Sequence, residues 1–511
     1  MLNKLPVPLS AQSVPELCFI CYNGINRKVT GAHCAPYGIS NCSLLIPNCI
    51  NSSLLPPNFS PPLCQICSLN LEDSTKKHTA QDILNYVEDN DVKFVRLAFC
   101  DIFGNQKNIS VFAGDLPYAF EQGVCFDGSS IAGFMNTEES DLVLWRDPDT
   151  MTILPWRPTE GRVMRMYCDI TLPNGRPFAG NSRGYLQSVV KRAKAMGLRC
   201  DVGCECEFYL FQTDEHGNPT RIPMDHGGYF DIAPLDKAEN IRREICFAME
   251  DMGLRPQHSH HESGFGQNEV DFMYSTALKS ADNLNTFKST VKAIADRNGL
   301  FASFMPKPMQ DQAGSGMHVN VSIHRDGKNL FQGDIAPDSE AGHFIAGILA
   351  HARELTCFCN PIPNSYTRFG SCEAPKYVSW SRQNRSQLVR LPSATGEFCR
   401  LELRSPDPSC NPYLVIGLIL AAGLDGIEKK MPLPAPVNRN LFHKSAAEGL
   451  ESLPESLREA ITIAAQSDFI AKELPVPLMN KYFEYQTQLC HGYESAPDPQ
   501  AWERENCFLK I

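Results

Sequence analysis

Hydrophobic and polar positions follow no lasting period over residues 1–75, and a regular pattern begins only beyond the polar run that starts at Asp73. Thr79 followed by Asp82 is typical of a helix N-terminus, and the apolar positions of the next two turns fall on one face. Residues Val92 to Phe99 then alternate as a β-strand does. The pattern therefore predicts that order begins near residue 79, after a low-order segment of residues 1–75.

A change of pattern near residue 176 predicts two further domains. Residues 79–175 are predicted to form short strands and turns, and a helix with one apolar face is predicted over Gly184–Met196. Beyond it, strands are predicted over Val202–Phe211, Val270–Tyr274, Met317–Ile323 and Cys399–Arg404. Helices are predicted over Lys237–Met252, Ala281–Asn298, Ala341–Phe358 and Asn411–Lys430. We expect an α+β fold, with a small domain over 79–175 and a larger one over 176–511 that carries an antiparallel sheet flanked by helices.

Composition narrows the class of protein. A chain of 511 residues is too long for one ordinary core, and its net charge of −11 argues against a nucleic-acid binder, which would show a basic patch. The longest apolar run, Tyr413 to Leu424, is shorter than the roughly 20 residues needed to span a bilayer and is predicted to be a buried helix. Residues 1–20 lack the continuous apolar core of a signal peptide. We therefore expect a cytoplasmic protein with no membrane or nucleic-acid partner.

Two glutamates in one predicted strand are the first sign of chemistry. Glu205 and Glu207 are two residues apart, so both would point to one face of the strand over Val202–Phe211. Adjacent carboxylates repel each other and are costly to bury without a cation, which favours a metal site. An exposed sheet edge would accommodate the same pair, and that alternative stays open.

Two later segments carry further candidate ligands. Glu262 and Glu269 flank a glycine-containing loop, so both carboxylates could turn toward one point, and oxygen ligands of this kind suit Mg²⁺ or Mn²⁺. His318 and Ser322 share one face of the strand that follows a Gly-Ser-Gly turn. The alternatives are a solvated acidic loop for the first segment and a hydrogen-bonded core histidine for the second.

Repeated arginines in the C-terminal half suit a substrate with carboxylate or phosphate oxygens. Two glutamates accompany them, and the set is Arg368, Glu373, Arg385, Arg390, Arg400, Glu402 and Arg404. A guanidinium can bind such oxygens with two parallel hydrogen bonds, although most arginines form surface salt bridges instead. The sequence contains no P-loop motif, so phosphate would be held by metals and arginines. The residues alone favour a two-metal, nucleotide-dependent transferase, and they do not name its acceptor.

These segments resemble the motifs of the glutamine synthetase family, type I, in the same order and at similar spacings. The resemblance runs from about residue 79 to the end, and the short Glu262–Glu269 loop is similar to that of the shorter type I variants. The motifs that carry it are Phe126-Asp-Gly-Ser-Ser with Glu139-Ser-Asp, Lys307 to Ser322, Asn364-Ser-Tyr-Thr-Arg, Glu373-Ala-Pro, Asn384-Arg-Ser and Arg404-Ser-Pro-Asp-Pro.

The resemblance implies a fold, an assembly and a metal content. The fold would be a small β-grasp domain followed by a larger catalytic domain with an antiparallel active-site sheet. The assembly would be a homo-dodecamer of two stacked hexameric rings, with active sites shared between neighbours. Each site would hold two divalent cations, Mg²⁺ or Mn²⁺. Their ligands would be Glu207, Glu262 and Glu269 for one cation, and Glu205, His318 and Glu402 for the other.

The resemblance also implies which residues contact the substrates glutamate and ATP. The groups for glutamate would be Arg368, Arg404 and the backbone of Gly314. Those for ATP would be Ser322, Arg385, Arg390 and Arg400, with Arg385 also acting in catalysis.

The resemblance implies a third set of residues, which would bind ammonium and close the site. Asp127 of a neighbouring subunit would bind ammonium and take its proton, close to Ser130, Tyr229 and Glu262. Glu373 would be the catalytic glutamate of a flap that closes the site.

The implied reaction is the ATP-dependent ligation of ammonia to the γ-carboxylate of L-glutamate, through γ-glutamyl phosphate, giving L-glutamine, ADP and phosphate. One alternative is a ligase for another amine such as a polyamine, and a second is an inactive structural relative. Asp127, Tyr229 and Glu262 favour the small cation ammonium, because together they would make a small anionic pocket. All six metal-ligand positions are filled, which argues against an inactive relative.

Four positions depart from the family pattern. Ala313 replaces an asparagine that contacts glutamate in many members, and the flap from Arg368 to Glu373 is one residue shorter than the commonest form. Phe442 replaces the tyrosine that some members adenylylate, so we expect no such modification. Asn136 replaces an arginine of feedback-inhibited relatives, which argues against glutamine feedback through this residue.

The first 75 residues have no counterpart in the family. They carry the pairs Cys18-x-x-Cys21 and Cys64-x-x-Cys67, but the gap between the pairs exceeds that of a zinc ribbon. A low-order appendage is one interpretation. The other is upstream sequence that is not translated in nature, with a non-standard start at Leu69 or Leu71.

Overall fold

The computed structural model describes residues 77–511 of the chain. The predicted low-order segment, its two Cys-x-x-Cys pairs and the proposed starts at Leu69 and Leu71 lie outside the described residues. Between residues 77 and 511 the chain forms α1 (Ala80–Asp89), α2 (Leu116–Gln122), α3 (Ser182–Ala195), α4 (Glu239–Asp251), α5 (Ala277–Arg297), α6 (Glu340–Cys359), α7 (Pro412–Lys429), α8 (Leu457–Ala465), α9 (Asp468–Glu473), α10 (Val476–Glu494) and α11 (Pro499–Glu503).

Three β-sheets accompany these helices in the described part of the chain. Their strands are β1 (Val92–Cys100), β2 (Gln106–Phe112), β3 (Val124–Asp127), β4 (Asp141–Arg146), β5 (Thr152–Ile153), β6 (Arg162–Thr171), β7 (Arg199–Cys206), β8 (Phe208–Thr213), β9 (Pro219–Pro223), β10 (Pro256–His261), β11 (Gln267–Phe272), β12 (Ser275–Thr276), β13 (Leu300–Ser303), β14 (Met317–Arg325), β15 (Lys328–Asn329), β16 (Trp380–Arg382), β17 (Val389–Leu391) and β18 (Leu401–Leu403).

The first sheet belongs to the small N-terminal domain and has the order β2-β1-β6-β4-β3, with β5 beside β6. Strand β1 pairs antiparallel with β2 and parallel with β6. Asp101 closes the turn between β1 and β2, because its carboxylate accepts two backbone hydrogen bonds within the turn. As predicted, Thr79 and Asp82 form a capping box at α1, and Ile83 and Val87 are buried in the core beneath the sheet.

The larger domain contains the other two sheets, which meet where β7 ends. The second sheet has the order β10-β11-β8-β13 and the third has the order β12-β7-β14-β18-β17-β16. The prediction of one strand over Val202–Phe211 was wrong, because β7 ends at Cys206 in the third sheet and β8 begins at Phe208 in the second. Glu207 lies at the break, where its N–H donates to the Gly316 carbonyl at 3.1 Å. Glu205 and Glu207 therefore lie at the junction of two sheets, and not on one face of a strand.

Helices α6 and α7 pack against each other in the core of the larger domain. The apolar run Tyr413–Leu424 lies within α7 and is buried throughout, as predicted. A Cβ at Gly347 would lie 2.1 Å from the Ala422 carbonyl oxygen, so the close approach of the two helices requires glycine. Within residues 77–511, no helix is long and apolar enough to cross a membrane. The expected α+β fold, with antiparallel sheets and helices in the larger domain, is confirmed.

One buried arginine joins the small domain to the larger one. Arg183, at the start of α3, donates to Asp147 at 2.7 Å and to Asp169 at 2.8 Å, both in the segment of the first sheet. It also donates twice to Asp282 of α5, at 2.9 and 3.1 Å. Breaking a buried ion pair leaves an uncompensated charge, so this cluster holds the two domains in one arrangement.

Candidate active site

A large cavity opens where the second and third sheets meet. Its volume is about 1360 Å³, and its walls come from both sheets, the β10–β11 hairpin and the loop after Arg368. The predicted site residues that line it are Glu205, Glu207, Tyr229, Glu262, Glu269, Gly314, His318, Arg368, Glu373, Arg385, Arg390, Arg400 and Arg404.

Three neighbouring strands of the third sheet hold the first ligand cluster, which consists of Glu205, His318 and Glu402. Strand pairing places His318 of β14 opposite Glu205 of β7, and β18 lies on the other side of β14. The His318 Nδ1 atom lies 3.5 Å from a carboxylate oxygen of each glutamate. One ligand atom from each residue lies within 4.8 Å of the others, which is close enough to share one metal ion.

Cationic and polar neighbours stabilise the carboxylates of the first ligand cluster. Glu402 is fully buried, and its two oxygens accept hydrogen bonds of 2.5 Å from Arg390 and Arg404. Burial alone would raise the pKa of Glu205, but hydrogen bonds from His318 and Asn320 lower it to about 2. Groups of the chain itself therefore pair with Glu402 and favour the charged form of Glu205.

The β10–β11 hairpin and the β7–β8 break hold the second ligand cluster, which consists of Glu207, Glu262 and Glu269 with His260. The His260 Nε2 atom lies 2.8 Å from a Glu262 oxygen and 3.3 Å from a Glu269 oxygen. Glu207 accepts hydrogen bonds from the Gln267 amide at 2.8 Å and from a backbone N–H at 3.0 Å. His260, Glu262 and Glu269 again present ligand atoms within 4.8 Å of one another.

Repulsion acts on two carboxylates of this second ligand cluster, whereas the hydrogen bond from His260 outweighs burial at Glu262 and lowers its pKa. Burial and the nearby Glu262 raise the pKa of Glu207 to about 8, and burial and Asp271 raise that of Glu269. Burial and Glu205 raise the pKa of Asp271 to about 7, and its Oδ1 atom is buried without a hydrogen-bond partner in the described structure. A divalent cation fits this donor set, because it would bind carboxylate oxygens that His260 and the amide donors compensate only in part.

Two buried arginines, Arg368 and Arg404, and a glycine turn form another part of the cavity wall. Arg368 donates to the carbonyls of Ser405 and Arg404 at 2.8 and 3.1 Å, which fixes its guanidinium at the cavity wall. A Cβ at Gly314 would lie 2.8 Å from the Arg368 side chain and from the Pro306 carbonyl oxygen, so the backbone can pass here only as glycine. Arg400 lies farther along the wall and donates to Asn320 at 2.8 Å.

The predicted flap glutamate lies at the cavity mouth. Glu373 is exposed, and its carboxylate lies 3.5 Å from Arg404 and 3.9 Å from Arg385. Cys372 and Glu373 both have left-handed backbone, with φ of 46° and 66°. This conformation is costly for residues with a side chain, and such strain is common in ligand clamps.

Four predicted residues do not line this cavity. Glu402 is fully buried and contacts the lining residues Arg390 and Arg404, and Ser322 is buried with its hydroxyl donating to the Cys399 carbonyl at 3.1 Å. Asp127 and Ser130 belong to the small domain, where the Ser130 hydroxyl donates to Asp127 at 3.0 Å. Hydrogen bonds from the hydroxyl and the backbone N–H of Ser129 lower the pKa of Asp127. The chain thus does not bring its own Asp127 to its own cavity.

The structure also shows the surroundings of three residues that depart from the family pattern, Ala313, Asn136 and Phe442. The Ala313 carbonyl accepts a hydrogen bond of 2.5 Å from Tyr209. The Asn136 side chain accepts one of 3.0 Å from Lys481, and Phe442 is partly exposed.

Sequence reasoning missed three residues that contact the ligand clusters. His260 lies opposite Glu269 in the β10–β11 hairpin, and the hairpin register would have revealed it. Asn320 lies between His318 and Ser322 on the face that they share, and donates to Glu205 at 2.9 Å. Gln267 gave no signal in the sequence, because its contact with Glu207 depends on the β7–β8 break.

Two family models match most of the chain. The model described as "Glutamine synthetase, beta-Grasp domain" matches residues 91–173, and "Glutamine synthetase, catalytic domain" matches residues 179–506. The chain belongs to the glutamine synthetase family. The resemblance found in the sequence is therefore confirmed, as is the expected β-grasp domain ahead of a larger catalytic domain.

Individual members of the glutamine synthetase family agree with this assignment. The chain is 46% identical to the glutamine synthetase of Methanosarcina mazei over 433 residues, which cover 83% of this chain and 96% of that protein. It is 45% identical to that of Clostridium saccharobutylicum over 442 residues, covering 85% of this chain and 99% of that protein.

Solved structures show the same fold. A structure named "Apo GmaS without ligand" has a TM-score of 0.75 and 32% identity, and the match covers 83% of this chain and 99% of that one. The cryo-EM structure of Plasmodium falciparum glutamine synthetase has a TM-score of 0.74 and 24% identity, covering 84% and 98%.

Proposed function

We propose that this chain joins ammonia to the γ-carboxylate of L-glutamate with ATP, giving L-glutamine, ADP and phosphate. The observation that carries the proposal is the cavity in which two clusters of possible metal ligands lie beside a row of arginines. Both proposed substrates, glutamate and ATP, are anions that such a cavity can bind. The curated relatives, which are named glutamine synthetase, support ammonia as the acceptor.

Two divalent cations, Mg²⁺ or Mn²⁺, would be held by the first and second ligand clusters and would neutralise charge on the transferring phosphoryl group. The arginines of the chain bind and orient the substrates. Arg368 and Arg404 bind the carboxylates of glutamate, while Gly314 accepts a hydrogen bond from its amino group through the backbone carbonyl. The groups that bind ATP are Ser322, Arg385, Arg390 and Arg400.

The reaction has two steps. A γ-carboxylate oxygen of glutamate attacks the γ-phosphorus of ATP, the bond to the ADP oxygen breaks, and γ-glutamyl phosphate forms while Arg385 stabilises the charge. Ammonia then attacks the γ-carbonyl carbon and the bond to phosphate breaks. Asp127 takes the proton that ammonium must lose to become the nucleophile. Closure of the flap by Glu373 excludes water, which would otherwise hydrolyse the intermediate.

The proposed assembly is a dodecamer of two hexameric rings, in which Asp127 completes the site of a neighbouring subunit near Tyr229 and Glu262. Its support is that Asp127 does not line the cavity of its own chain, while Tyr229, half exposed, does. Co-expression of two inactive variants, Asp127→Asn and Glu262→Gln, tests the sharing. Shared sites would restore about a quarter of the wild-type activity in a random mixture, because one site in four receives both wild-type residues. Sites built within one chain would restore none.

Phosphate release from ATP tests the reaction itself. The full-length protein is assayed with Mg²⁺ and glutamate, with and without ammonium, and the product is identified. Release that requires both glutamate and ammonium, with glutamine as product, is expected. Glu205→Gln should lower the rate at least about 100-fold, since even residues that only support metal ligands cost up to that much. The matched control is Glu215→Gln, which removes an equal charge at an exposed turn.

Two other results would overturn the proposal. Release supported only by a larger amine, such as a polyamine, would assign the chain to a neighbouring ligase activity. No release with any amine, from a folded oligomer, would mean that intact ligand positions do not suffice for activity.

A further inference from the structure

A buried pair of polar residues, Asp225 and His261, lies beside the candidate active site. Both side chains are almost completely buried, and the His261 Nε2 atom lies 2.8 Å from an Asp225 carboxylate oxygen. On the other side of the ring, the Nδ1–H group donates to the Glu262 backbone carbonyl at 2.6 Å. Burial of such groups is costly unless they are hydrogen-bonded, so the pair is tied firmly to its surroundings. The proposed ligase reaction gives neither residue a role.

The Asp225 carboxylate fixes both ends of the Tyr229 loop, which comprises residues 226–236 between β9 and α4. It accepts hydrogen bonds from the backbone N–H of Gly227 at 3.4 Å and from that of Lys237 at 2.9 Å. It also accepts one of 3.0 Å from the N–H of Gly266, in the turn of the β10–β11 hairpin. One carboxylate therefore joins the Tyr229 loop to the hairpin that carries part of the second ligand cluster.

The Tyr229 loop has few apolar contacts of its own within this chain. Four of its large apolar side chains are exposed, and they are Tyr229, Phe230, Ile232 and Leu235. Phe230 has left-handed backbone, with φ of 61°, which is costly for a residue with a side chain. Its N–H donates to the His261 carbonyl at 3.1 Å. Hydrogen bonds to Asp225 and His261, and not apolar burial, hold the loop in this conformation.

Strand β10 contacts the Tyr229 loop with two consecutive histidines. Neighbouring residues of a strand point to opposite faces, so His260 and His261 lie on different sides of β10. On the cavity side, the rings of Tyr229 and Phe230 lie 5.7 and 4.8 Å from the His260 ring, which also contacts Glu262. On the buried side, His261 binds the backbone of the loop and of the hairpin. The separation of Tyr229 from Glu262 thus depends on this strand end.

We propose that His261 and Asp225 are positioning residues, which set the width of the pocket between Tyr229 and Glu262 and so restrict the acceptor to a small amine. The assignment rests on the proposed function, because that reaction places ammonium in this pocket. Without the pair, the Tyr229 loop would move away from the hairpin. Ammonium would then lose close contacts, while a larger amine would gain room.

Steady-state kinetics of the full-length protein at saturating Mg²⁺ and ATP tests the assignment. Ammonium, methylamine and glutamate are varied in turn, and the products are identified. His261→Phe keeps a ring but loses both ring hydrogen bonds, and should raise the KM for ammonium roughly tenfold or more. The ratio of kcat/KM for methylamine to that for ammonium should rise, whereas the KM for glutamate should stay within about twofold of the wild-type value.

Two further variants keep the test valid if His261→Phe does not fold. Glutamine can place its amide near the position of the ring Nε2, so His261→Gln keeps the bond to Asp225 and should lie between the wild type and His261→Phe. Asp225→Asn keeps the side-chain size but turns an amide group toward N–H donors, and should also raise the KM for ammonium. The matched control is His351→Gln, at a buried histidine between two carboxylates outside the cavity, and it should keep every KM.

Hydrogen exchange in EDTA provides a readout that needs no catalysis. Backbone amides of residues 226–237 should exchange faster in His261→Phe than in the wild type, because the bonds that hold the Tyr229 loop are lost. His351→Gln should leave the exchange of these amides unchanged. Unchanged exchange in His261→Phe would overturn the assignment.

The kinetic results separate this assignment from the proposed function. A wild type that makes no glutamine would refute both. Glutamine synthesis by the wild type, with unchanged amine selectivity in His261→Phe and Asp225→Asn, would refute the assignment alone. Equal increases in the KM for ammonium and for glutamate would also overturn it, because they would show a general disturbance of the cavity.

Discussion

The two ligand clusters of the candidate active site hold their carboxylates in different electrostatic environments. In the first ligand cluster, Glu402 contacts two arginines and the pKa of Glu205 is lowered to about 2. In the second, carboxylates face one another, and the pKa of Glu207 is raised to about 8. The first cluster is thus charged and ordered by the chain itself. In the second cluster, a bound cation would be needed to compensate the negative charge of the carboxylates in full.

This difference predicts that the clusters contribute to stability in opposite ways. A carboxylate between buried arginines stabilises the metal-free fold, and its loss leaves those cations unpaired. A carboxylate among other carboxylates destabilises the metal-free fold, and its loss relieves repulsion. Neutral, nearly isosteric glutamine variants can therefore separate the two clusters.

The largest expected effect is that of Glu402→Gln in the first ligand cluster. The change leaves Arg390 without its carboxylate partner and leaves the almost fully buried Arg404 with only the exposed Glu373, 3.5 Å away, so it should lower the free energy of unfolding by about 3–5 kcal/mol. Urea unfolding in EDTA at fixed protein concentration measures it. Glu397→Gln, at an exposed position nearby, should change the midpoint little. An unfolding midpoint for Glu402→Gln equal to that of the control would show that the pairing of Glu402 with the two arginines does not stabilise the metal-free fold.

The next effect concerns the second ligand cluster and metal. Mn²⁺ at about 100 times its Kd for the second ligand cluster should stabilise the wild type by about 2.7 kcal/mol through this site alone. Glu207→Gln should unfold in EDTA no more easily than the wild type, because it relieves repulsion from Glu262, and should lose most of this site's part of the gain from Mn²⁺. Thermal unfolding with and without metal measures both quantities.

The control for the metal experiment is Glu215→Gln, whose side chain is exposed at a turn. It should keep the whole gain from Mn²⁺. If Glu207→Gln also kept the whole gain, the cation would bind elsewhere, and the comparison between the two clusters would fail.

The sequence predicted the fold well where the hydrophobic positions keep one period along the chain. The apolar run Tyr413–Leu424 lies within the buried helix α7, and Thr79 is the N-cap of α1. The strand over Val202–Phe211 failed because alternation continues through Glu207, while the chain changes sheets there. Only the tertiary contact of Glu207 with Gly316 reveals that break.

The residues of the candidate active site were predicted mainly from the resemblance to known motifs, and residue types alone suggested metal and phosphate chemistry. The opposite charge environments of the two clusters could not be predicted, because they depend on which neighbours strand pairing supplies. Glu402 meets Arg390 across β17 and β18, whereas Glu269 meets His260 and other carboxylates in a hairpin. Residue order does not reveal these registers without the turn geometry.

A histidine outside the candidate active site is also surrounded by carboxylates. His351 of α6 lies between Glu354 and Asp425, with each ring nitrogen 2.9 Å from a carboxylate oxygen. Lys429 and Lys472 also face Asp425, at 2.8 and 3.6 Å. Burial alone would lower the pKa of His351, but the hydrogen bonds to Glu354 and Asp425 raise it above its ordinary value. As in the first ligand cluster, the neighbours of this group favour its charged form.

The smallest expected effect is the pH dependence that this histidine adds to stability. Because its pKa is higher in the folded chain than in the unfolded one, its contribution is complete below about pH 6.5 and is lost as pH rises through the folded pKa. The loss should be on the order of 1 kcal/mol or less after solvent screening. Urea unfolding across this range should show it in the wild type and in the exposed-site control His216→Gln, but not in His351→Gln. An unchanged pH dependence in His351→Gln would show that the Asp425 lysines, and not the histidine, compensate the carboxylates.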